Sequence, residues 1–229
     1  MPPWLNPGLY EEIKPYFKTR SEAGKKLAKK LIKYKKENPL ILAIPQGGVP
    51  VAFECANAIG ADLDIVVPIR FPIPKIKEAS FGALTQEEES LLNRGVLQEV
   101  NLTPEEIKLV NNKIRLRMRA RLKKYRKIIK KIPIHNRTVI IVDDGLASGF
   151  TMMAAIKSVK RKKPKKIIAA VPISPSYAIK RVKPKVNEFI CLKTVDVIPF
   201  AINLFYEYFP NITDNGVCEY LKRYTKKKK

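Results

Sequence analysis

The sequence predicts an α/β fold, a mainly parallel, twisted β-sheet flanked by helices. Short apolar runs bounded by proline, glycine or lysine alternate along the chain with segments whose apolar residues recur at helical spacing. Uninterrupted apolar runs are typical of strands buried on both faces, as the strands of a parallel sheet are. Because parallel neighbours must be joined by a crossover, usually a helix, the alternation itself favours a parallel sheet.

Five strands are expected from these runs. They are LILAIP at 40–45, DIVVPI at 64–69, TVIIVD at 138–143, KIIAAVPI at 166–173 and a fifth at 186–192. Helices are expected around and between the strands. The first begins at the N-cap Ser21 and ends before Asn38, others follow at 51–59, 151–161 and 176–182, and the last ends in lysines.

A break in the alternation predicts an insertion at 71–133 within a single domain, residues 1–229. Residues 71–80, with two prolines, predict an irregular flexible loop, a lid for the site, and short antiparallel strands are expected at 81–85 and 95–100. A long helix follows. Thr103 is its expected N-cap, Pro104 its first residue and Glu106 the partner in a capping box. Its apolar stripe faces away from an almost wholly basic surface. Residues 194–229 predict a C-terminal hood rich in aromatic residues, followed by a basic tail.

The composition limits the functional classes. With 45 Lys and Arg against 21 Asp and Glu, the formal net charge is +24, which attracts nucleic acids or multiply phosphorylated small molecules. No recognisable nucleic-acid-binding module accompanies the charge, so nucleic acid stays an open partner that we do not favour. Lys-rich surfaces are also a habit of thermophile proteins.

The number of cysteines and the lengths of the apolar runs indicate the cellular compartment. Three cysteines are too few and too scattered for a zinc motif or a disulfide framework, and they fit a reducing environment. No apolar run approaches the roughly 18 residues of a membrane-spanning helix, and no secretory signal is recognisable. We therefore expect a cytoplasmic protein that does not bind membranes.

One turn carries most of the predicted chemistry, because ligands of parallel sheets bind beyond the carboxyl ends of the strands. After the strand at 138–143 come two adjacent carboxylates, Asp143 and Asp144, then small residues, then Thr151 at a helix start. The N–H groups of a helix N-terminus and the hydroxyls of Ser148 and Thr151 suit a phosphate monoester. The carboxylates fit beside it if they accept hydrogen bonds from sugar hydroxyls. Alternatively, the strand-end aspartates bind Mg²⁺ or cap a helix.

The segment VIIVDDGLASGFT, residues 139–151, resembles the 5-phosphoribosyl-1-pyrophosphate (PRPP) motif of type I phosphoribosyltransferases. The resemblance implies the fold of that family, with an inserted flap and long helix and a small C-terminal hood. It implies that Asp143 and Asp144 bind the ribose 2′- and 3′-hydroxyls and hold Mg²⁺ through water. It also implies that the remaining loop residues bind PRPP at its 5′-phosphate end. These are Gly145, Ala147, Ser148, Gly149, Phe150 and Thr151.

A second segment, IPQGGVPVA at 44–52, resembles the PRGGVPVA pyrophosphate loop of a subgroup of predicted phosphoribosyltransferases from bacteria and archaea. The similarity extends over nearly the whole chain. It implies that Gln46, Gly47 and Gly48 hold the pyrophosphate, with Arg70 as the nearest fixed cation.

Two positions depart from that subgroup. Its arginine in the pyrophosphate loop is Gln46 here, and its Arg–Lys pair after the second strand is Ile69 and Arg70. Arginine binds a diphosphate bidentately, so the loss of two cations should weaken pyrophosphate binding and transition-state stabilisation. Lys75 and Lys77, in the loop that follows, could supply the missing charge. Arg70 and Lys77 are therefore our candidate catalytic cations, beside the two aspartates.

The acceptor is expected under the hood. Family members that act on 6-oxopurines resemble one another in carrying an Asp where this chain has Ala147, so hypoxanthine and guanine are not expected. Adenine, a pyrimidine or an acceptor other than a nucleobase stay open. Phe200 and Tyr206 are candidates for stacking on an acceptor ring, although aromatic residues at such spacing also pack a hood onto a sheet. The single histidine, His135, precedes a strand and lies away from the expected site.

Three functional classes follow. The first, which we favour, is a Mg²⁺-dependent transferase that moves the 5-phosphoribosyl group of PRPP to a small-molecule acceptor in nucleotide salvage or related metabolism. The second is a regulator that senses PRPP or nucleotides, with weakened catalysis, and binds RNA or DNA through its basic helices. The third hydrolyses or transfers phosphate. The family is commonly dimeric, which leaves a homodimer open.

Overall fold

A five-stranded parallel sheet forms the centre of the fold. The structure, a computed structural model, describes residues 14–74, 76–197 and 200–228 and leaves out the side chains of residues 76–79. The strands are β1 (Leu40–Ala43), β2 (Asp62–Ile65), β3 (Ile69–Ile73), β4 (Ile76–Leu84), β5 (Ser90–Leu92), β6 (Thr138–Val142), β7 (Lys166–Ser174) and β8 (Glu188–Thr194). The central sheet has the order β2-β1-β6-β7-β8, with every neighbouring pair parallel. The predicted α/β class is confirmed.

Helices connect these strands and cover both faces of the sheet. They are α1 (Arg20–Leu31), α2 (Gly48–Ile59), α3 (Arg94–Val100), α4 (Pro104–Arg126), α5 (Phe150–Lys160), α6 (Ser176–Val182) and α7 (Asp214–Lys227). Short 3-10 turns lie at Ile32–Glu37, Lys183–Lys185 and Ile202–Phe205. None of the helices in the described ranges is long and apolar enough to cross a membrane.

The core lies in two layers, one on each face of the sheet. All four residues of β1 are buried. Ile41 belongs to a cluster with Leu27 of α1 and Phe53 of α2, whereas Leu42 belongs to a second cluster with Met152 of α5. Successive strand residues point to opposite faces, so a strand that must fill both layers is apolar throughout.

The segment between β2 and α4 leaves the main sheet, but it differs from the prediction. An irregular loop at 71–80 is wrong, because β3, β4 and β5 form an antiparallel sheet, and Pro72 is accommodated where the register shifts. A strand at 95–100 is also wrong, because these residues belong to helix α3. The side chain of Asn93 accepts a hydrogen bond from the backbone N–H of Val96 and starts that helix.

Helix α4 begins as predicted. Thr103 and Glu106 form both hydrogen bonds of the capping box, with Pro104 in the first turn. Its apolar stripe packs onto the main core, where Ile114 and Met118 are buried. Helix α1 begins two residues earlier than expected. Its N-cap is Thr19 and not Ser21, and the side chain of Thr19 accepts a hydrogen bond from the N–H of Glu22.

Candidate functional site

Two loops meet at the carboxyl edge of the central strands. Residues 44–48 form the glycine-pair loop, and residues 143–149 form the aspartate loop. β1 and β6 are hydrogen-bonded neighbours with Ala43 opposite Val142, so the two loops leave the sheet side by side. This edge is where parallel sheets bind ligands.

The glycine pair allows the loops to touch. A Cβ atom at Gly47 would lie 2.0 Å from Oδ2 of Asp144, and one at Gly48 would lie 2.7 Å from the carbonyl oxygen of Val142. Any larger residue would therefore push the two loops apart. The close contact of these two loops depends on both glycines.

The two aspartates have different surroundings. Asp144 is buried, and its Oδ2 accepts a 2.7 Å hydrogen bond from Nε of Arg20, which is buried as well. Asp143 is partly buried, and its Oδ1 accepts a 2.9 Å hydrogen bond from the backbone N–H of Asp144. Burial and the neighbouring charge of Asp144 raise the pKa of Asp143 well above its ordinary value. One carboxylate is thus fixed by a cation, while the other holds a proton more readily than a free aspartate.

Arg20 is a site residue that the sequence analysis missed. Its second nitrogen, Nη1, donates a 2.7 Å hydrogen bond to the carbonyl oxygen of Pro210, and its guanidinium carbon lies 3.5 Å from the ring centre of Phe209. The backbone oxygen of Asp144 accepts a 2.7 Å hydrogen bond from the hydroxyl of Tyr206. No local signal marks Arg20, because its acidic partner lies 124 positions further along the chain.

The aspartate loop and the start of α5 line a cavity of about 430 Å³. Gly149 precedes the helix with a φ of 82°, a left-handed conformation that favours glycine. No side chain caps the first turn of α5, so its N–H groups are available to an anion. Of the residues predicted to bind PRPP, those that line this cavity are Asp143, Gly145, Ala147, Ser148, Gly149 and Thr151.

Phe150 takes part differently from the other motif residues. Its ring is buried, and the guanidinium of Arg181 lies 4.9 Å from the ring centre. Only the backbone of Phe150 can therefore serve a ligand. Arg181 also donates a hydrogen bond to the carbonyl oxygen of Ser148. The sequence analysis did not predict this contact, which ties the aspartate loop to helix α6.

A second cavity, of about 330 Å³, lies beside the glycine-pair loop. Gln46, Gly47 and Arg70, three of the residues predicted to hold the pyrophosphate, line it, whereas Gly48 is buried against β6 and is not among the residues that line it. Helix α4 contributes two further cations to the wall, Arg117 and Arg121. Neither arginine stands out in the sequence from the basic surface of the long helix.

Asp214, the first residue of α7, holds this wall together. Its Oδ1 accepts hydrogen bonds from Nε2 of Gln46 at 2.7 Å and from the hydroxyl of Tyr125 at 2.5 Å. Nε of Arg121 lies 3.0 Å from the same oxygen but makes no hydrogen bond. Burial opposes ionisation of Asp214, yet the bond from Tyr125 and the charge of Arg121 outweigh it and keep its pKa below the ordinary value. Gln46, which follows a cis peptide bond, is thereby attached to α7.

The hood covers a third cavity, of about 620 Å³, which Ala147, Phe200 and Phe209 help to line. Phe200, a candidate for stacking on an acceptor, thus lines a cavity, and its ring is stacked on Phe205 at 5.1 Å between ring centres. Tyr206 does not line the cavity, which contradicts its predicted stacking on an acceptor. Its ring is buried in the hood, packed 4.9 Å from the ring of Phe209. Its hydroxyl faces the backbone instead.

The remaining predicted residues lie elsewhere. Lys77 belongs to β4, but its side chain lies outside the description, and Lys75 lies outside the described residues altogether. His135 is exposed just before the amino end of β6, at the opposite edge of the sheet from the site, as expected.

The donor set around the aspartates bears on metal binding. Within the described ranges, no group of three or more His, Cys, Asp or Glu could hold a metal ion. Asp143 and Asp144 are two carboxylates beside cavities open to a ligand. Mg²⁺ usually keeps several waters and binds through one or two carboxylates plus the phosphates of a ligand. These residues therefore fit a hydrated Mg²⁺ that a phosphorylated ligand helps to hold.

The chain is similar to proteins of one family. The family described as "Phosphoribosyl transferase domain" matches residues 17–207. A Mycobacterium tuberculosis protein, whose name places it among the phosphoribosyl transferases, is 32% identical over 207 residues, which are 90% of this chain and 46% of the relative. The chain thus spans about half the length of that relative.

Two further similarities differ in extent. The crystal structure of TT1426 from Thermus thermophilus is 31% identical, with a TM-score of 0.71, and the match covers 90% of this chain and 98% of that one. A uracil phosphoribosyltransferase of Sulfolobus acidocaldarius is 38% identical over 82 residues, 36% of this chain and 37% of that protein.

Proposed function

The chain belongs to the phosphoribosyltransferase family, and we propose that it transfers the 5-phosphoribosyl group of PRPP to a small-molecule acceptor and releases pyrophosphate. The observation that carries the proposal is the contact between the glycine-pair loop and the aspartate loop. It brings three cavities together around Asp143 and Asp144, and Arg70 lines all three. Their linings suit the three parts of the reaction.

The ribose 5-phosphate part of PRPP would occupy the cavity of about 430 Å³. The uncapped N–H groups of α5 and the hydroxyls of Ser148 and Thr151 suit the 5′-phosphate. Asp143 and Asp144 would accept hydrogen bonds from the ribose hydroxyls. The hydrogen bond from Arg20 holds Asp144 in a fixed orientation for this role. The small residues of the aspartate loop let the backbone approach the ligand.

The pyrophosphate part would lie in the cavity beside Gln46, Gly47 and Arg70. Bond breaking at the ribose C1 develops positive charge on the sugar and negative charge on the leaving pyrophosphate. Backbone N–H groups and arginine side chains fixed in a partly closed cleft stabilise that negative charge more effectively than water does. Asp143 and Asp144 also line this cavity, and their carboxylates would favour the positive charge that develops on the adjoining sugar.

Mg²⁺ is part of this proposal. The two aspartates fit a hydrated ion, which would neutralise part of the diphosphate charge when bound. Asp143 must be ionised to serve it. Because its pKa is raised, we expect the reaction to slow as the pH falls.

The acceptor would enter under the hood, beside Phe200 and Phe209. Ala147 is exposed in this cavity and cannot act as the base that 6-oxopurine enzymes of the family use. Adenine and pyrimidines are the first acceptors to try, and uracil is one of them because the Sulfolobus relative is named for it. With a nucleobase acceptor, the reaction would belong to nucleotide salvage in the cytoplasm.

The proposal is tested by pyrophosphate release from PRPP and Mg²⁺ with a panel of acceptors. The panel contains adenine, uracil, hypoxanthine and other small nucleophiles. Asp143→Asn should abolish release, while Asp196→Asn, which removes an exposed carboxylate outside the three cavities, should leave it unchanged. Absence of release with every acceptor from a folded protein, or equal release by the Asp143→Asn variant, would refute transfer.

A second candidate is a PRPP or nucleotide sensor that binds RNA or DNA. The net charge of +24 and the glutamine in place of an arginine at position 46 favour it. Fluorescence anisotropy with RNA at two salt concentrations tests this candidate, because phosphate contacts weaken steeply with salt. A sensor also requires that PRPP change RNA affinity, and that RNA change PRPP affinity by the same factor. Salt-sensitive binding that ignores PRPP would indicate charge alone.

A further inference from the structure

We propose that Arg117 and Arg121 of helix α4 bind the diphosphate of PRPP, supplying the cations that are missing at Gln46 and Ile69. The inference rests on the proposed function and extends it to a residue pair outside both sequence motifs. The glutamine at position 46 removes an arginine from the predicted pyrophosphate loop. The long helix, an insertion relative to the central sheet, brings two arginines to the same cavity.

Arg117 and Arg121 lie at the cavity that is proposed to hold the diphosphate. Both line the cavity of about 330 Å³ that Gln46, Gly47 and Asp143 also line. They are four residues apart on α4, so their side chains lie on one face of the helix, roughly 5–6 Å apart at Cβ. A diphosphate has two neighbouring phosphoryl groups, which a pair of adjacent guanidinium groups can contact together.

Arg121 is buried and has a hydrogen-bond donor that is not used. The residue is 8% exposed, and its buried Nε has no hydrogen-bond acceptor. Asp214 lies 3.0 Å away, but its Oδ1 already accepts hydrogen bonds from Gln46 and Tyr125. A buried guanidinium with an unused donor is costly, and an anion in the adjoining cavity would supply the acceptor. Arg121 is thus ion-paired with Asp214 but keeps an unused donor at the wall of a cavity.

The guanidinium groups of Arg117 and Arg121 are also chemically suited to a diphosphate. The planar guanidinium of arginine matches two phosphate oxygens at once and cannot lose its charge at physiological pH. Arg117, one turn before Arg121, is exposed to solvent at the same wall, so it can reach an entering ligand. The pair therefore replaces the missing cations of the subgroup with groups suited to a diphosphate.

The position of Arg121 on the helix supports the assignment. Ile114 and Arg121 are seven residues apart, close to two full turns, and Ile114 is a buried member of the apolar stripe. Arg121 accordingly occupies the face that packs on the protein and not the solvated basic face. There it lies beside Asp214 on one side and the cavity on the other.

The test is calorimetric titration of the full chain with pyrophosphate and, separately, with ribose 5-phosphate, both with Mg²⁺ at fixed ionic strength. Arg117→Gln and Arg121→Gln should each lower pyrophosphate affinity about tenfold or more, the size expected for a charged hydrogen bond. Ribose 5-phosphate affinity should stay unchanged. Lys123→Gln removes the same charge from an exposed position of α4, and its pyrophosphate affinity should equal that of the parent protein.

The outcomes separate local binding from folding and from the general field. Equal weakening by Lys123→Gln would show that only the net charge matters and would overturn the proposal. Pyrophosphate affinity retained by both arginine variants would also overturn it. Since Arg121 is buried, its variant is checked by thermal melting, and if it does not fold, the exposed Arg117 and the conservative Arg121→Lys decide the question.

The proposed transfer can fail independently. Pyrophosphate binding that depends on Arg117 and Arg121, without release of pyrophosphate from PRPP by any acceptor, would support the arginine pair and refute the transferase. Release of pyrophosphate from PRPP that is insensitive to both substitutions, with unchanged KM for PRPP, would support the transferase and refute the pair.

Discussion

The ion pair between Arg20 and Asp144 should be the most sensitive point of the candidate site. Arg20→Met removes the charge and keeps a long side chain. Because the side chains of Arg20 and Asp144 are only 8% and 10% exposed, water cannot replace the lost partner. Removing one partner of a buried pair costs about 3–5 kcal/mol, mostly because the other charge is left buried.

Two smaller losses accompany the substitution. The hydrogen bond from Arg20 to the carbonyl oxygen of Pro210 disappears, and so does the contact with the ring of Phe209. Each contributes about 1 kcal/mol in typical proteins. Together with the broken pair, we expect Arg20→Met to lower the free energy of unfolding by about 6 kcal/mol and the melting temperature by about 12–24 °C for a chain of this size.

A double-mutant cycle isolates the pair itself. Urea unfolding is followed by circular dichroism for Arg20→Met, Asp144→Asn and the double variant. If the two groups interact as the structure indicates, the double variant loses less stability than the sum of the single losses, by about 1 kcal/mol or more. If the stability losses of the two single variants add up to the loss of the double variant, the pairing is refuted. If the stability losses are strongly coupled but ribose 5-phosphate affinity is unchanged in every variant, the role of Arg20 in orienting Asp144 for the ligand is refuted.

Three further predictions concern the same loops. Gly47→Ala would place its Cβ 2.0 Å from Oδ2 of Asp144, about 1 Å inside the closest tolerated contact, and should reduce pyrophosphate release about 100-fold, since displacements of that size carry such costs. Asp143→Asn should raise the free energy of unfolding at neutral pH, because the raised pKa means that the carboxylate is unfavourable in the folded state. That gain should vanish as the pH falls below 3.8, where the carboxyl is protonated in the unfolded chain as well. Tyr206→Phe leaves the buried carbonyl of Asp144 without its donor and should cost about 1–3 kcal/mol in urea unfolding.

Matched controls accompany these variants. At Gly95 the nearest atom to an added Cβ is 3.7 Å away, so Gly95→Ala should not reduce release, and equal losses at positions 47 and 95 would contradict the steric argument. A pH-independent gain for Asp143→Asn would mean that desolvation of the carboxylate is not its cause. Tyr208 is 65% exposed, so Tyr208→Phe should leave the free energy of unfolding unchanged. If Tyr206→Phe is as stable as Tyr208→Phe, the hydroxyl of Tyr206 contributes nothing to stability.

The parts of the fold that the sequence predicted well are those with contiguous signals. The buried strands, the capping box of α4 and the aspartate loop are each encoded within a few neighbouring residues, so their patterns are visible without knowledge of distant partners. Residues 95–100 show the limit of such patterns. Their hydrophobicity fits a strand, but the side chain of Asn93 caps a helix there, and one cap outweighs a weak alternation.

The residues that the sequence analysis missed are defined by partners far along the chain. Arg20 meets Asp144 across 124 positions, and Arg181 meets Ser148 across 33. Arg121 lies among basic residues of α4, so the pattern did not single it out, although its position two turns after Ile114 places it on the apolar face. Tyr206 was misassigned for a related reason, since an aromatic residue in a hood can serve a ligand or the packing, and only the packed structure separates the two.

The attachment of Gln46 to Asp214 has a consequence for how the protein assembles. That hydrogen bond spans 168 positions, and the bond between Arg20 and Asp144 links an early helix to the centre of the sheet. Segments from the beginning, the middle and the end of the folded region must therefore all be in place before the ligand cavities exist. Binding of a phosphorylated ligand should accordingly stabilise the folding unit as a whole rather than one loop. Amide protons in α1, the central sheet and α7 should gain protection from exchange together when the ligand is added.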